Sequence, residues 1–433
     1  MKNLFANHLA VQLQNLPSIL KDSEFSGLTV YSGDSARYFE DDAAVSFRSN
    51  PHFLHYCPAG GEGHALLLRP GKRPTLLFCR PNDYWHEVHD FQDEYWVDGF
   101  DIEVYTSGSE LWRRLAKLKR FAFIGAETAK AKKAGLKANP AKILHAMRWL
   151  RGVKTPYEIQ CLKTATAIAA RGHKAAQEAF LRGATELEIH LAYLGAAKAS
   201  EADLPYPSII GLGEKGAILH YQNRRVAGKS AVLLIDAGFR FQHYGCDITR
   251  THCAPTAHKV FAGLVSALDS VQQDLVSQVK AGLPYVELHK SAHLGIAKIL
   301  LEADLISNLS THAVLESGIS GAFFPHGLGH LLGIQVHDVG GYQSDIRGRP
   351  THVKAFPNLR LQRPLRANEV ITIEPGIYFI PMLLQKFRQH KLSSHFRWPL
   401  VEELLSCGGI RIEDNVVVLE HGQENLTRPH LPS

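Results

Sequence analysis

The sequence predicts two domains: an α/β unit over residues 1–150, then an α+β unit over residues 151–433 in which helices cover one face of a curved antiparallel sheet. Three observations predict this. Strand-like and helix-like segments alternate through the first third of the chain. A sharp helix start at Thr155-Pro156-Tyr157-Glu158 then supplies a cap hydroxyl, a proline at the first helical position and a carboxylate at the third. Beyond it, long helical stretches are interleaved with β-branched runs, several ending in an acid beside glycine. A length of 433 residues suits two large domains.

In chain order, MKNLFANHLAVQLQNLP places Phe5, Leu9, Leu13 and Leu16 on one helical face. Its Asn, His and Gln interrupt the continuous apolar core that a secretion signal requires. GLTVYSG (27–33) reads as a strand, HALLLRPGKRPTLLFCR (64–80) as a hairpin turning at Pro-Gly, and RFAFIGAE (120–127) as another strand. KANPAKILHAMRWLRGVK carries the chain out of the first domain. Helices are expected over about 155–181 and 185–200, the second opened by Thr185 and Glu188, and over about 257–281 and 285–303 after Pro284. VLLIDAG and VITIEPG look alike, a hint of internal pseudo-symmetry.

Composition removes several function classes. The chain is 45% hydrophobic and 21% charged, ordinary for a globular protein with substantial cores. The net charge of +6 is scattered, which argues against nucleic acid or a membrane as partner. Six cysteines without a CxxC pair read as reduced thiols, and no stretch reaches the roughly 20 apolar residues of a membrane span. The expectation is a soluble, cytoplasmic protein.

Familiar motifs fail on context. Residues 211–216 match GxGxxG, but the segment that follows, AILHYQNRRVAGKS, is too short and turn-rich for the helix a dinucleotide site needs. GKS at 228–230 lacks the leading glycine of a phosphate loop, because position 223 is Asn. HEVH at 86–89 is one residue short of the zinc-binding HExxH helix, and no GxSxG elbow occurs.

What survives is a set of five residues: Asp236, Asp247, His330, Glu374 and Glu413, each ending an apolar run or flanked by glycine. Asp236 and Asp247 are spaced for two neighbouring antiparallel strands, although a solvent-exposed hairpin would carry two acids equally well. Glu374 precedes Pro375-Gly376, where a strand must break, and Glu413 lies inside the β-rich GIRIEDNVVV, where an acid is costly to bury alone. In HGLGH the glycines would let backbone and the His330 imidazole approach a ligand, while a lone His there is more often an ordinary polar residue. Four carboxylates with one imidazole favour Mn²⁺, Co²⁺, Fe²⁺ or Zn²⁺ over an all-oxygen cage. Two cations balance that charge better than one, and paired metals serve hydrolysis.

The ordered segments IDAG, DITRT, HGLGHLLGIQVHDVGG, TIEPGIYF and GGIRIEDN resemble the pita-bread metallopeptidases, and among them the bacterial-type Xaa-Pro dipeptidases, or prolidases. KTPYEI and LPYPSII extend the likeness through 155–433, and RYFEDDAAVSFRSNPHF carries it more loosely into the first domain. The resemblance implies a creatinase-like α/β N-terminal domain and a pita-bread catalytic domain. It implies two divalent ions, manganese foremost, with Asp236 on one, His330 and Glu374 on the other, and Asp247 and Glu413 shared. Glu374 would also be the general base. His337 and His220 would meet the scissile carbonyl, its oxyanion or the proline end; the lesser alternative for His220 is a polar strand-end residue. His326 would support the site, and Tyr206 and Arg411 would line it. Arg360 would take the substrate carboxylate through its planar fork, unless it is one of a solvated set with Arg363 and Arg366. Asp42, beside Asp41, would meet the substrate amino group from a partner subunit in a homodimer; the alternative is a solvated acidic turn.

The implied substrates are X-Pro dipeptides, with phosphotriesters as a side activity. An Xaa-Pro aminopeptidase acting on longer peptides is the rival enzyme. A non-catalytic peptide-binding protein of the same fold is the rival from another class. Cys246 and Cys253, near the site in sequence, read as small apolar fillers.

Overall fold

The computed structural model describes residues 1–85 and 91–432, so the HEVH stretch at 86–89 lies outside the described residues. Two compact units emerge, Met1–Glu158 with Gln343–Pro350, and Ile159–Tyr342 with Thr351–Ser433.

The first unit is built on a six-stranded mixed sheet. Its strands are β1 (Gly27–Tyr31), β2 (Ala65–Leu68), β3 (Thr75–Cys79), β4 (Asp101–Tyr105), β5 (Phe121–Ile124) and β6 (Lys137–Ala138), in the order β4-β3-β2-β1-β5-β6. β2 and β3 form the expected hairpin, in which Gly71 takes φ +68° at the Pro-Gly turn, a conformation only glycine adopts freely. Every residue of β1, β2 and β5 is buried, as both-faced coverage by helices demands. Those helices are α1 (Lys2–Gln14), α2 (Leu16–Leu20), α3 (Pro51–Tyr56), α4 (Gly108–Leu115), α5 (Thr128–Lys133) and α6 (Ala141–Arg151). Phe5 and Leu9 are buried on α1, but the helix stops at Asn15 and Leu16 opens α2 with Pro17 behind it. At the Thr155 start, Glu158 reaches back to the Thr155 N–H at 2.8 Å as a capping carboxylate. The Thr155 hydroxyl also meets Nδ1 of His8 at 2.8 Å.

The second unit follows along α7 (Pro156–Leu181), whose opening turn belongs to the first, and α8 (Glu186–Ala197), which opens with a complete Thr185–Glu188 capping box. Next come β7 (Ile209–Leu212), β8 (Val232–Asp236), β9 (Arg240–Phe241), β10 (Tyr244–Gly245) and β11 (Thr249–Cys253). Helices α9 (Lys259–Ser277), α10 (Tyr285–Glu302), α11 (Thr311–Glu316) and α12 (Ile319–Phe323) precede β12 (Val370–Ile373) and β13 (Gly376–Tyr378). After α13 (Pro381–Arg388) and α14 (Trp398–Leu405) the chain ends in β14 (Gly409–Arg411), β15 (Asp414–Leu419) and β16 (Gly422–Asn425). The GxGxxG stretch ends β7 and enters a short 3-10 turn, Gly213–Ala217, with no helix facing a phosphate.

All strand pairs here are antiparallel, in short ladders ordered β11-β8-β7, β12-β15-β16 and β13-β14. A bridge between Thr249 and Glu413 joins the first ladder to the others. The look-alike strands β8 and β12 occupy different places, one central and one at an edge. Ile373 pairs with Asp414 and Gly376 with Arg411, so the β12–β13 and β14–β15 runs form one long ribbon that opens only at 374–375 and 412–413. Pro375 has no N–H to give the ladder there. Both glutamates of the predicted set therefore lie in the opening. Behind the ribbon, Leu264, Leu268 and Leu275 of α9 and Leu288, Ile296 and Leu300 of α10 pack with Ile371, Ile373, Val416 and Val418 in the main core.

Next to that opening, the buried Asp414 carboxylate meets Arg250 Nη2 at 2.8 Å and Arg428 Nε at 2.6 Å. Removing the acid leaves the buried Arg250 without its carboxylate partner, while Arg428 keeps Asp269 at 2.7 Å. Asp414→Ala is therefore expected to cost about 3–5 kcal/mol, read from the urea midpoint at constant m-value.

Candidate metal centre

Asp236 is the last residue of β8 and lies across from Thr249 of β11 and Ile209 of β7. Asp247 sits just before β11, with its backbone clamped by Asn415, which accepts from the Asp247 N–H at 3.0 Å and donates to its carbonyl. The two acids share one neighbour. The Tyr206 hydroxyl is 2.6 Å from Asp236 Oδ1 and 2.5 Å from Asp247 Oδ1, so the strand spacing does converge both carboxylates. One hydroxyl carries one hydrogen and serves one carboxylate at a time.

His330 arrives on a segment that runs beside β12. Thr372 N–H donates to the His330 carbonyl at 3.0 Å and Glu374 N–H to the Leu328 carbonyl at 2.8 Å. A Cβ on Gly329 would stand 2.2 Å from the Thr372 carbonyl and 2.5 Å from Tyr285 Oη. At Gly329 the close approach is thus to strand β12 and Tyr285, a correction to the reading that this glycine makes room for a ligand. The imidazole gives Nδ1–H to the Leu331 carbonyl at 3.0 Å. That fixes its tautomer and leaves Nε2 facing Asp247 Oδ2 at 3.4 Å and Glu374 Oε1 at 3.6 Å. Ligand atoms of Asp247, His330 and Glu413, all buried, lie within 4.8 Å of one another.

Arg411 is the chief counter-charge. Its Nη2 donates to Asp236 Oδ2 at 2.7 Å, its Nη1 to the Tyr378 hydroxyl at 2.8 Å and its Nε to Thr249 Oγ1 at 3.1 Å. Expected to line the substrate, this guanidinium instead has all its nitrogens turned to protein. Tyr206, likewise expected to line it, is turned to the two aspartates. His326 is held in a single tautomer: Nδ1–H points to the Gly327 carbonyl at 2.8 Å, and Nε2 accepts from the Tyr378 hydroxyl at 2.8 Å. Its Nδ1 also lies 3.6 Å from Glu374 Oε2, and burial holds its pKa down at about 3. All three side chains brace the ligand set.

The remaining predicted residues lie further out. His337 is open to solvent on one side and meets the His330 ring edge-on at 4.4 Å. Crowding by protein atoms, then the charges of His330 and Arg360, push its pKa down to about 4. His220 occupies an exposed turn rather than a strand end, near enough for its charge to reach His326 and His337. Arg360 is exposed, and among the described residues its side chain has no hydrogen bond or ion pair. Arg363 and Arg366 differ, since both are tied to Glu369, at 2.5 and 2.8 Å. Asp42 lies on an exposed turn of the first unit between the bridge partners Arg37 and Ala44.

Four residues were not singled out from sequence: Thr249, Thr372, Asn415 and Tyr378. Thr372 Oγ1 accepts from the His330 N–H at 3.1 Å and donates to Glu374 Oε1 at 3.4 Å, and Thr249 Oγ1 donates to Glu413 Oε2 at 2.7 Å. A signal was available for three of them. Thr249, Thr372 and Asn415 each stand two places from an acid of the set, and residues two apart share a strand face.

Burial dominates the electrostatics. It lifts Asp236 from 3.8 to about 6 and Glu374 from 4.5 to about 7, with neighbouring acids adding to the effect and Arg411 opposing it. Glu413, among three other carboxylates, is raised well above its ordinary range, again by burial first. Asp247 moves the other way: burial pushes it up, but the hydrogen bond and charge of His330, with the Tyr206 hydrogen bond and the charge of His337, together outweigh it. Four buried carboxylates against one guanidinium and one imidazole leave a deficit of positive charge. Divalent cations fit that deficit, and the oxygen-rich donor set with one imidazole fits borderline first-row ions.

Residues 160–420 match metallopeptidase family M24, and residues 3–149 match the N-terminal domain of Xaa-Pro dipeptidase. The chain belongs to metallopeptidase family M24. It is 40% identical to the Xaa-Pro dipeptidase of Shewanella woodyi, across 99% of this chain and 98% of that one. To the Xaa-Pro dipeptidase of Aeromonas hydrophila it is 41% identical, across 98% of each. Among solved structures it is similar to Escherichia coli aminopeptidase P in a low-pH form, at TM-score 0.76, 21% identity and coverage of 98% of this chain and 95% of that one. The zinc-substituted enzyme in complex with product gives TM-score 0.74 at 22% identity, with the same coverage. These likenesses establish the fold, an α/β N-terminal domain and a pita-bread catalytic domain, as the motifs implied. Membership in M24 implies divalent metal ions.

The raised carboxylates set a pH dependence. Asp236 and Glu374 bind their protons more tightly folded than unfolded, so their contribution to stability is complete below about pH 4. It is lost as pH rises through about 6 and 7. Bound cations remove that penalty. The gap in Tm between metal-loaded and chelator-stripped protein is therefore expected to widen between about pH 5 and pH 8, and a gap that stays flat would contradict this electrostatic account.

Proposed function

We propose that the chain is a two-metal Xaa-Pro dipeptidase, hydrolysing the bond before proline in dipeptides that carry a free carboxylate. The observation that carries the dipeptide preference is Arg360, an exposed guanidinium without a protein partner among the described residues, beside His337. A planar fork left open at a site mouth suits a substrate carboxylate. Identity of about 40% to Xaa-Pro dipeptidases over nearly the whole chain supports the same reading.

In this reading Asp236 serves one metal, His330 and Glu374 the other, and Asp247 and Glu413 both, with manganese first and cobalt, iron or zinc as substitutes. The bound ions supply Lewis acidity toward the scissile carbonyl and make water acidic enough to attack at neutral pH. Glu374, whose burial raises its proton affinity, takes the proton from the attacking water and returns it to the departing proline nitrogen. His337 and His220 donate to the developing oxyanion or hold the proline end, and Arg360 fixes the carboxylate. Arg411, Tyr206 and His326 keep the acids in place. A homodimer sets the Asp42 turn of one copy at the entrance of the other, where an acid meets the substrate ammonium and limits chain length. No disulfide forms among the described cysteines, in keeping with a cytoplasmic setting, and no helix of the described residues is long and apolar enough to cross a membrane. A centre that attacks a tertiary amide also attacks phosphorus, so slower phosphotriester hydrolysis accompanies the main activity.

The test is turnover of Leu-Pro, Leu-Pro amide, Leu-Pro-Gly and a phosphotriester after chelation and return of Mn²⁺. Metal-dependent cleavage is expected for Leu-Pro above all. Arg360→Ala should lower kcat/KM for Leu-Pro by roughly 10–100-fold, the worth of a charge-assisted hydrogen-bond pair, with little effect on the amide. Preference for Leu-Pro-Gly would move the chain to the aminopeptidases. Metal binding without any turnover would make it a peptide-binding protein.

A further inference from the structure

Thr249 is fully buried on β11, and its backbone already carries the structural work at this position. It pairs with Asp236 on one side, and on the other its carbonyl accepts the Glu413 N–H at 3.0 Å. A β-branched residue in a buried strand is ordinarily a packing residue, and valine has the same shape. The hydroxyl is therefore surplus to the fold, yet both its hydrogen-bonding directions are occupied. Arg411 Nε, which can only donate, gives its hydrogen to Thr249 Oγ1 at 3.1 Å. Oγ1 in turn lies 2.7 Å from Glu413 Oε2. A guanidinium cannot accept, so the hydroxyl hydrogen has one destination. The rotor is locked, and the chain of donation runs Arg411 to Thr249 to Glu413.

We propose that Thr249 is a positioning residue for the metal centre, whose hydroxyl, aligned by Arg411, holds Oε2 of Glu413 and so fixes the plane in which that carboxylate meets the ions. This rests on the two-metal reading of the site given above. Without that hydrogen the Glu413 carboxylate could rotate about its last torsion, and sp²-terminated torsions of this kind are broad and weakly restrained. The plane of the carboxylate would no longer be fixed, and the preorganisation of the ligand would be lost. Oriented outer partners of ligands commonly contribute 10–100-fold to metal affinity. Thr372 stands in the matching relation to Glu374, but at 3.4 Å its hydroxyl restrains that carboxylate less.

The experiment titrates Mn²⁺ alone into chelator-stripped full-length protein by calorimetry, for the parent, Thr249→Val and Thr249→Ser. The expected result is two Mn²⁺ bound by the parent, with an affinity about 10–100-fold weaker for Thr249→Val and within about threefold of the parent for Thr249→Ser. Steady-state assays at saturating Mn²⁺ should show Thr249→Val losing mainly kcat rather than KM, since Glu413 holds metal and not substrate. Parent-like affinity in Thr249→Val overturns the proposal, and so does equal weakening in Thr249→Ser, which keeps the hydroxyl. Should Thr249→Val not fold, Thr249→Ala compared with Thr249→Ser decides in the same way. A parent that binds no Mn²⁺ would sink the two-metal reading itself, whereas a parent that binds two ions beside an unaffected Thr249→Val would remove only the role of Thr249.

Discussion

Four carboxylates held out of water around a single guanidinium form the constraint on which the catalytic unit depends. Asp236, Asp247, Glu374 and Glu413 would each prefer solvent, and each loses it on folding. The protein accepts this because the backbone around each acid is committed before its side chain is considered. Asp236 is in a ladder on both sides, Asp247 is clamped by Asn415, and Glu374 and Glu413 hold backbone hydrogen bonds to Leu328 and Thr249. Relaxation by moving a strand would cost the α9–α10 core behind it. What remains is to supply positive charge, and that is the demand divalent ions meet.

The same ribbon that buries the acids also aims them. Antiparallel pairing is regular up to Ile373 and Asp414 and resumes at Gly376 and Arg411, and the interval between is where both glutamates project. The register carries through that interval, so Glu374 and Glu413 stand directly opposite one another on one face, with Thr372 two places from Glu374 and Thr249 bridging to Glu413. Arg411 then links three parts of the site in one fan of hydrogen bonds, to Asp236, to Thr249 and so to Glu413, and through Tyr378 to His326. Because a guanidinium only donates, each of these contacts has a fixed direction. That direction sets the tautomer of His326 and the rotor of Thr249.

Arginine is used in two ways within a short distance in sequence. Arg363 and Arg366 are absorbed by the buried Glu369 and stabilise the loop that carries them. Arg360 keeps its charge in solvent, where it influences His337 across the mouth of the site. Composition alone cannot separate a structural arginine from a recognition arginine. A carboxylate partner marks Arg363 and Arg366 as structural, and Arg360, without one among the described residues, is the arginine proposed for the substrate carboxylate.

Much of this molecule was legible in its sequence because the relevant signals are local. Thr185 with Glu188 wrote a capping box, Pro-Gly wrote the β2–β3 hairpin, and acids at the ends of VLLID and VITIE announced a site that burial alone would not tolerate. Tertiary structure decided what depends on partners distant in sequence. The Thr155 hydroxyl found His8, 147 residues away in sequence, Gly329 made room for β12 and Tyr285 rather than for a ligand, and Arg411, Tyr206 and His326 turned inward to hold acids. No periodicity encodes such choices. A side chain's hydrogen-bond partner is set by whichever donor or acceptor the fold delivers within about 3 Å, and that delivery is a property of the packed ribbon and helices rather than of any segment read alone.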